Sequence, residues 1–236
     1  MDAIIKNKLL YAIYSPIVWV KLRLNGVITV GKSFWIGLPY ISRHKKSTIQ
    51  INGRCRFSGK QTSNPLGNNH KCMISTLREN AKVEIANGCG FSGITISCAN
   101  SIKLYHNVRC GANVSIMDHD GHWDDFRSAE PKGIIIEDNV WVGANSIIMK
   151  GVVIGRCAVI GAGCVLRNSV PPYSIVIGNP SKIVGFNLNP EEIIEHERTL
   201  YPEEERLPLE LLEKNYKKYF LDHIKEINAY TGLICK

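Results

Sequence analysis

The sequence predicts an all-β core in the form of a parallel β-helix, with a helix before it and a helical extension after it. Three observations carry that reading. From Ile136 onward the chain falls into rows of six, and each row opens on a branched aliphatic: Ile136, Val142, Ile148, Ile154, Ile160 and Leu166. A small or β-branched residue stands four places further on, at Val140, Ser146, Val152, Ala158, Cys164 and Val170. Glycine follows the aliphatic at Gly143, Gly155 and Gly161. A six-residue period is out of step with a helical turn, and the glycines would weaken a helix further. Short strands between tight turns fit it. Residues two apart share a strand face, so Val140 with Val142 and Ala158 with Ile160 point inward while Trp141 points out. Coils of this kind bury their apolar faces on one another.

Residues 1–24 combine Ile4, Ile5, Leu9, Leu10, Ile13, Val18, Val20 and Leu22 with Lys6, Lys8, Lys21 and Arg23. The mixture predicts an amphipathic helix capping the end of the coils, kinked or divided at Pro16. Its charge-free runs are too short to span a bilayer, although the flanking lysines also suit a peripheral membrane contact. Residues 25–185 make the β-helix. The rows are ragged from Gly26 to Ser58, and Gly59 to Lys71 reads as a polar surface loop. They resume at Ile85 and Phe91, slip by one near Ser101 and continue at Leu104 and Cys110. The row that Ile116 opens fails, because residues 117–133 place charge where the inward small residue belongs. The phase has moved by two when rows return at Ile136, so a loop must leave the coil here. In residues 186–236, Asn189-Pro-Glu-Glu is a helix start, and a second helix is expected from Pro208 to Ile227.

The formal net charge of +8 suits an anionic or phosphorylated ligand. No long basic run argues for nucleic acid, and Arg43-His44-Lys45-Lys46 reads as a solvated loop. The eight cysteines contain no CxxC pair. They read as small buried residues of a reducing compartment, and with no secretory signal in view a cytoplasmic location is expected.

The failed row concentrates the chemistry. Asp118, His119, Asp120 and His122 fall within five residues, followed by Trp123. Histidine accepts protons near neutral pH, and a neighbouring carboxylate can fix its tautomer.

The rows, the Asp-x-Asp-x-His loop, Asn139-Val-Trp-Val-Gly-Ala, Val159-Ile-Gly-Ala-Gly and Ile177-Gly-Asn-Pro-Ser-Lys together resemble the hexapeptide-repeat acyltransferases. Within them the chain is most similar to the sugar O-acetyltransferases, relatives of galactoside, maltose and serine acetyltransferases. The resemblance covers about Ile85 to Val184 and is absent from the terminal helices. It implies left-handed coils, against the usual crossover rule, and a homotrimer. It also implies acetyl-CoA as co-substrate without a metal, and a sugar or polysaccharide-precursor acceptor of capsule or lipopolysaccharide. The family's pattern, aliphatic-x-Asp-x-Asp-x-His, is met by Ile116, Asp118, Asp120 and His122, which makes His122 the first choice of base and His119 the second. Asp118 or Asp120 would orient the imidazole. The resemblance puts Trp141 beside cofactor and acceptor. It runs the pantetheine arm along Gly143, Ala144, Gly161, Ala162, Gly178 and Pro180, and sets Lys182 at the CoA phosphates. Arg167 and Asn168 stand where relatives carry Thr-Lys, which puts that contact in doubt. No cysteine lies in the loop, so attack would be direct.

Three rival readings stand beside this one. N-acetylation of an amino-sugar nucleotide would use the same base. A γ-type carbonic anhydrase would need zinc on His106, His119 and His122, whose spacing does not resemble that family's. A non-enzymatic scaffold would not need the loop histidines.

Overall fold

The computed structural model describes residues 3–231, with side chains from Asn7 onward; Ile4, Ile5 and Lys6 of the N-terminal pattern, and Cys235, lie outside the described side chains. Short strands stack into three sheets, and successive strands visit the three in turn, so every third strand pairs in parallel. The result is a three-sided, left-handed parallel β-helix. The strands Ile134–Ile136, Trp141–Val142 and Ile147–Ile148 lie on the first, second and third face of one coil. A final antiparallel pair, Ser174–Ile177 with Lys182–Phe186, closes the second face.

The interior is made of columns, one side chain per coil. On the second face the register runs Trp35, Phe57, Phe91, Cys110, Val142, Ile160 and Val176. All seven are buried. Aromatic residues fill the early coils where aliphatics fill the late ones, and this explains the ragged rows. Trp35 stacks on Phe57 with centroids 3.9 Å apart, and Phe57 meets Phe91 at 4.9 Å. Cys89, Cys110 and Cys164 are buried within these columns.

The corners have their own columns. Asn107, Asn139, Cys157 and Tyr173 repeat a positive φ at the turn between the first and second faces, as Asn113 and Asn145 do between the second and third. Asparagine tolerates that conformation and bonds locally. Its amide also reaches the coil above: Asn107 Nδ2 donates to Asn139 Oδ1 at 3.2 Å, and Asn113 Nδ2 to Asn145 Oδ1 at 3.3 Å.

The loop leaves where expected. Leu104, Cys110 and Ile116 pair with Ile136, Val142 and Ile148, each 32 residues on, whereas Ile136 pairs with Ile154 only 18 residues on. The coil therefore carries an insertion of 14 residues at the corner between the third and first faces.

Two expectations about the helices are corrected. Helix α1 (Ala3–Leu24) runs through Pro16 without being divided there. It covers the first coil through Trp35 N to Ser15 Oγ at 3.0 Å and Trp19 Nε1 to Ser33 O at 2.8 Å. At the other end α2 (Pro190–Leu200) has the predicted Asn189 cap, reinforced by a reciprocal Glu192 bond. The expected second helix is broken: α3 (Leu209–Tyr219) ends at Phe220, a 3-10 turn follows, and α4 (Ile224–Thr231) completes the segment. Phe220 at φ −128, ψ −66 lies outside helical geometry, and its burial turns the chain back.

A buried polar cluster docks these helices. Glu197 is fully buried. It accepts from Tyr173 Oη at 2.8 Å and Leu207 N at 3.1 Å, and lies 3.4 Å from the Arg156 guanidinium. Removing one partner strands the others out of water. Glu197→Ala should therefore lower unfolding free energy by about 3–5 kcal/mol, measured by urea denaturation.

Candidate active site

The inserted loop is clamped at its root. Asp118 is fully buried, and its carboxylate accepts from Ala99 N at 2.6 Å and Asn100 N at 2.8 Å on the preceding coil. Its carbonyl accepts from Lys132 N at 2.9 Å, joining the two ends of the loop. Asp120 pairs with Lys150 and accepts from Ala129 N at 3.0 Å. The Lys150 ammonium holds the Asp120 carboxyl below its usual range. Both carboxylates are thus engaged in folding the loop. No hydrogen bond joins either carboxylate to the imidazole: both oxygens of Asp118 accept backbone amides, and Oδ2 of Asp120 takes Lys150 and Ala129 N, while both charges still act on His119 through space.

His119 is held instead by a residue that the sequence reading missed. Its Nε2 lies 2.9 Å from the hydroxyl of Ser97, on the third-face strand Thr95–Cys98. Ser97 stands one coil below, in register with Met117. Trp123 packs against the imidazole at 5.0 Å between centroids, and the Arg78 guanidinium lies 4.0 Å over the Trp123 ring. Arg78 also pairs with Glu130 at 3.2 Å, tying the loop to an earlier coil. His119 Nδ1 is closed off from solvent and has no hydrogen-bond partner among the described residues. Burial pushes this imidazole below its ordinary value, against the pull of Asp118 and Asp120. The site thus disfavours the charged imidazolium, and Nε2 is the ring nitrogen that faces the Ser97 hydroxyl. His122, by contrast, is exposed beside Asp124, Asp125 and Phe126. His106 pairs with Asp138 at 3.2 Å on a different corner, so the three histidines do not converge.

The residues expected to meet the cofactor fall elsewhere. Trp141 projects from the second face and is 59% exposed. Gly143, Ala144, Gly161 and Ala162 follow the corner between the second and third faces. Glycine is required there by the coils themselves: a side chain on Gly143 would run into the backbone of Gly161 and Ala162. Ala162 is exposed while Ala144 is buried. Gly178 and Pro180 lie in the turn before Lys182, and Tyr230 of α4 seats its hydroxyl against Gly178. Arg167 is exposed just past the last third-face strand. Asn168 and Lys182 line a cavity of about 310 Å³ shared with Tyr219, His223 and Tyr230, and Lys182 Nζ sits 4.9 Å over the Tyr230 ring. One chain thus brings His119, Ser97 and Trp123 together at one corner and the small-residue column at another.

Comparison with known proteins agrees with this architecture. Residues 133–168 match the family described as bacterial transferase hexapeptide (six repeats). A Schizosaccharomyces pombe protein provisionally named as an acetyltransferase is 37% identical over 100 residues, 40% of this chain and 45% of that one. An Escherichia coli K12 protein provisionally named as the lipopolysaccharide biosynthesis O-acetyl transferase WbbJ is 29% identical over 104 residues, 39% of this chain and 53% of that one. The chain thus spans about half the length of these curated relatives. Among solved structures, a single-residue mutant of AntD, a Bacillus cereus N-acyltransferase in complex with dTDP-4-amino-4,6-dideoxyglucose and coenzyme A, superposes with a TM-score of 0.53. That match is 18% identical and covers 77% of this chain and 95% of AntD. At that identity it establishes the fold.

A proton NMR titration should place the His119 ring midpoint below its ordinary 6.5. The unfolded chain then binds more protons between the two values. The contribution to stability is complete above 6.5 and is lost as pH falls through the lower folded value.

Proposed function

We propose that this chain, whose residues 133–168 match the hexapeptide-repeat transferases, moves an acetyl group from acetyl-CoA to a sugar hydroxyl of a surface-polysaccharide precursor, with His119 as general base. The observation that carries this reading is the pinned imidazole, whose charged form burial disfavours, with the Ser97 hydroxyl at hydrogen-bond distance from Nε2. Ser97 Oγ marks where an acceptor hydroxyl can approach. The base takes the hydroxyl proton as the oxygen attacks the thioester carbonyl. The C–S bond breaks, and the thiolate recovers a proton from the imidazolium. Positioning and backbone donors for the developing oxyanion supply the remainder. Lys182 and Asn168, at the cavity under α4, suit the phosphorylated end of CoA.

Two observations support the sugar and the oxygen. The WbbJ relative is named for O-acetyl transfer in lipopolysaccharide biosynthesis. AntD, of the same fold, was solved with a sugar nucleotide and CoA. Its amino-sugar complex favours N-acetylation as the second reading, which the same base would serve. His122 is the second candidate for base, on the loop pattern and on its free position at the loop tip.

Because the base and the small-residue column occupy different corners, a complete site would join the loop of one subunit to the column of the next. A cyclic trimer provides that arrangement, and it also covers Trp141. Sedimentation at micromolar concentration should show a trimer; a monomer alone would count against the shared site. We place the enzyme in the cytoplasm, at the inner face of the membrane where such precursors are built.

His119→Ala should lower turnover by about two to four orders of magnitude in a thiol-release assay with acetyl-CoA and a panel of sugars, and His122→Ala should cost much less. The reverse order would move the base to His122. No thiol release with any sugar or amino sugar would overturn the assignment.

A further inference from the structure

Helix α1 has two apolar faces, and the fold uses only one. Ser15, Val18 and Leu22 are buried on the first coil, with Tyr14 and Trp19 packed beside them. On the opposite side Leu9, Ile13, Ile17, Val20 and Leu24 are 51% to 82% exposed. At about 100° per residue these five fall within an arc of about 80°, centred about 170° from the buried face. Nothing among the described residues covers that stripe, which runs from Leu9 to Leu24. A helix that only capped the coils would be polar there.

We propose that this stripe is a docking face for an anionic lipid bilayer, on which α1 lies flat with the β-helix standing on it end-on. Charge decides the occupant. The helix carries no Asp or Glu, and by the same geometry Lys21 and Arg23 flank the exposed stripe, one on each side, Arg23 exposed and Lys21 donating to Pro39 O at 2.8 Å. Pairing two such stripes in a second copy would bring like charges together at the rim. A bilayer of anionic headgroups neutralises them and accepts the side chains between the headgroups and the acyl chains. No helix among the described residues is long and apolar enough to cross a membrane, and the opposite face of α1 is already committed to Trp35 and Ser33. The contact is therefore interfacial. The inference goes beyond the transferase reading and does not depend on it.

Vesicle flotation tests it, with the full chain and phosphatidylcholine vesicles lacking or containing phosphatidylglycerol. The protein should float with the anionic vesicles and be released by salt. Ile13→Gln with Ile17→Gln should reduce partitioning by about tenfold or more, at an unchanged thermal midpoint, since both side chains face away from the core. Arg23→Glu should weaken the preference for phosphatidylglycerol. Failure of the unaltered protein to float would overturn the proposal. So would floating of the Ile13/Ile17 variant as well as the parent, or a smaller assembly in sedimentation with unchanged flotation, which would assign the stripe to a second copy. Thiol release with a water-soluble sugar should be equal in parent and Ile13/Ile17 variant; if both are inactive, the transferase reading fails and the flotation result stands.

Discussion

Everything in this molecule rests on the contact of one coil with the next. A single coil buries nothing by itself, since its strands are two to five residues long and their outer faces meet solvent. Stacked, each coil supplies the backbone partners of its neighbour and closes the columns that run from Trp35 to Val176. The corners obey the same requirement. Gly111 and Gly143 are bare because the backbone of the coil above occupies the space a side chain would need, and the asparagines turn the chain while bonding to their counterparts. Small residues that look like a cofactor track are first of all a packing solution. Any cofactor would use a surface the coils had already made.

The rows were legible because they encode a local geometry repeated at short range: a side chain inward, one outward, a turn. The loop was legible as a breach of that rule, and the two-residue phase change at Ile136 reports its insertion correctly. The early coils were hard to read because Trp35 and Phe57 replace aliphatics in one column, and the substitution makes sense only when the two stack and Phe57 meets Phe91. The broken C-terminal helix was hidden for a related reason. Its apolar spacing continues through Phe220, and only burial there shows where the chain turns.

At the candidate site the sequence located the loop and left its internal wiring unread. Asp118 and Asp120 looked like partners for histidine because they are adjacent in sequence; in space their hydrogen bonds go to Ala99, Asn100, Ala129 and Lys150. The partner of His119 is Ser97, 22 residues away and one coil below. No local pattern announces such a pair, although the stacking period would have found it: Ser97 is the outward residue directly beneath Met117, where the loop begins. The same holds for Tyr230 over Gly178, which joins segments that the repeat does not relate. The second apolar face of α1 was present in the composition but disguised, since two opposed stripes cancel in any one-sided measure of amphipathicity.

The clamp at Asp118 has a consequence for how such proteins diversify. The chain leaves the coil and rejoins it across one hydrogen bond, Lys132 N to Asp118 O, and Gly151 N then bonds Lys132 O on the coil above. Between those points His119, Asp120 and Glu130 are tied to coil residues, whereas among the described residues the hydrogen bonds of the tip, residues 124–128, stay within the loop. The tip's length and composition can therefore drift without disturbing the stack, at an entropic cost that grows only slowly with added residues. The scaffold behaves as a socket and the loop tip, residues 124–128, as an exchangeable insert. New acceptor preferences can then arise by rewriting that insert, while the columns beneath it remain under constant constraint.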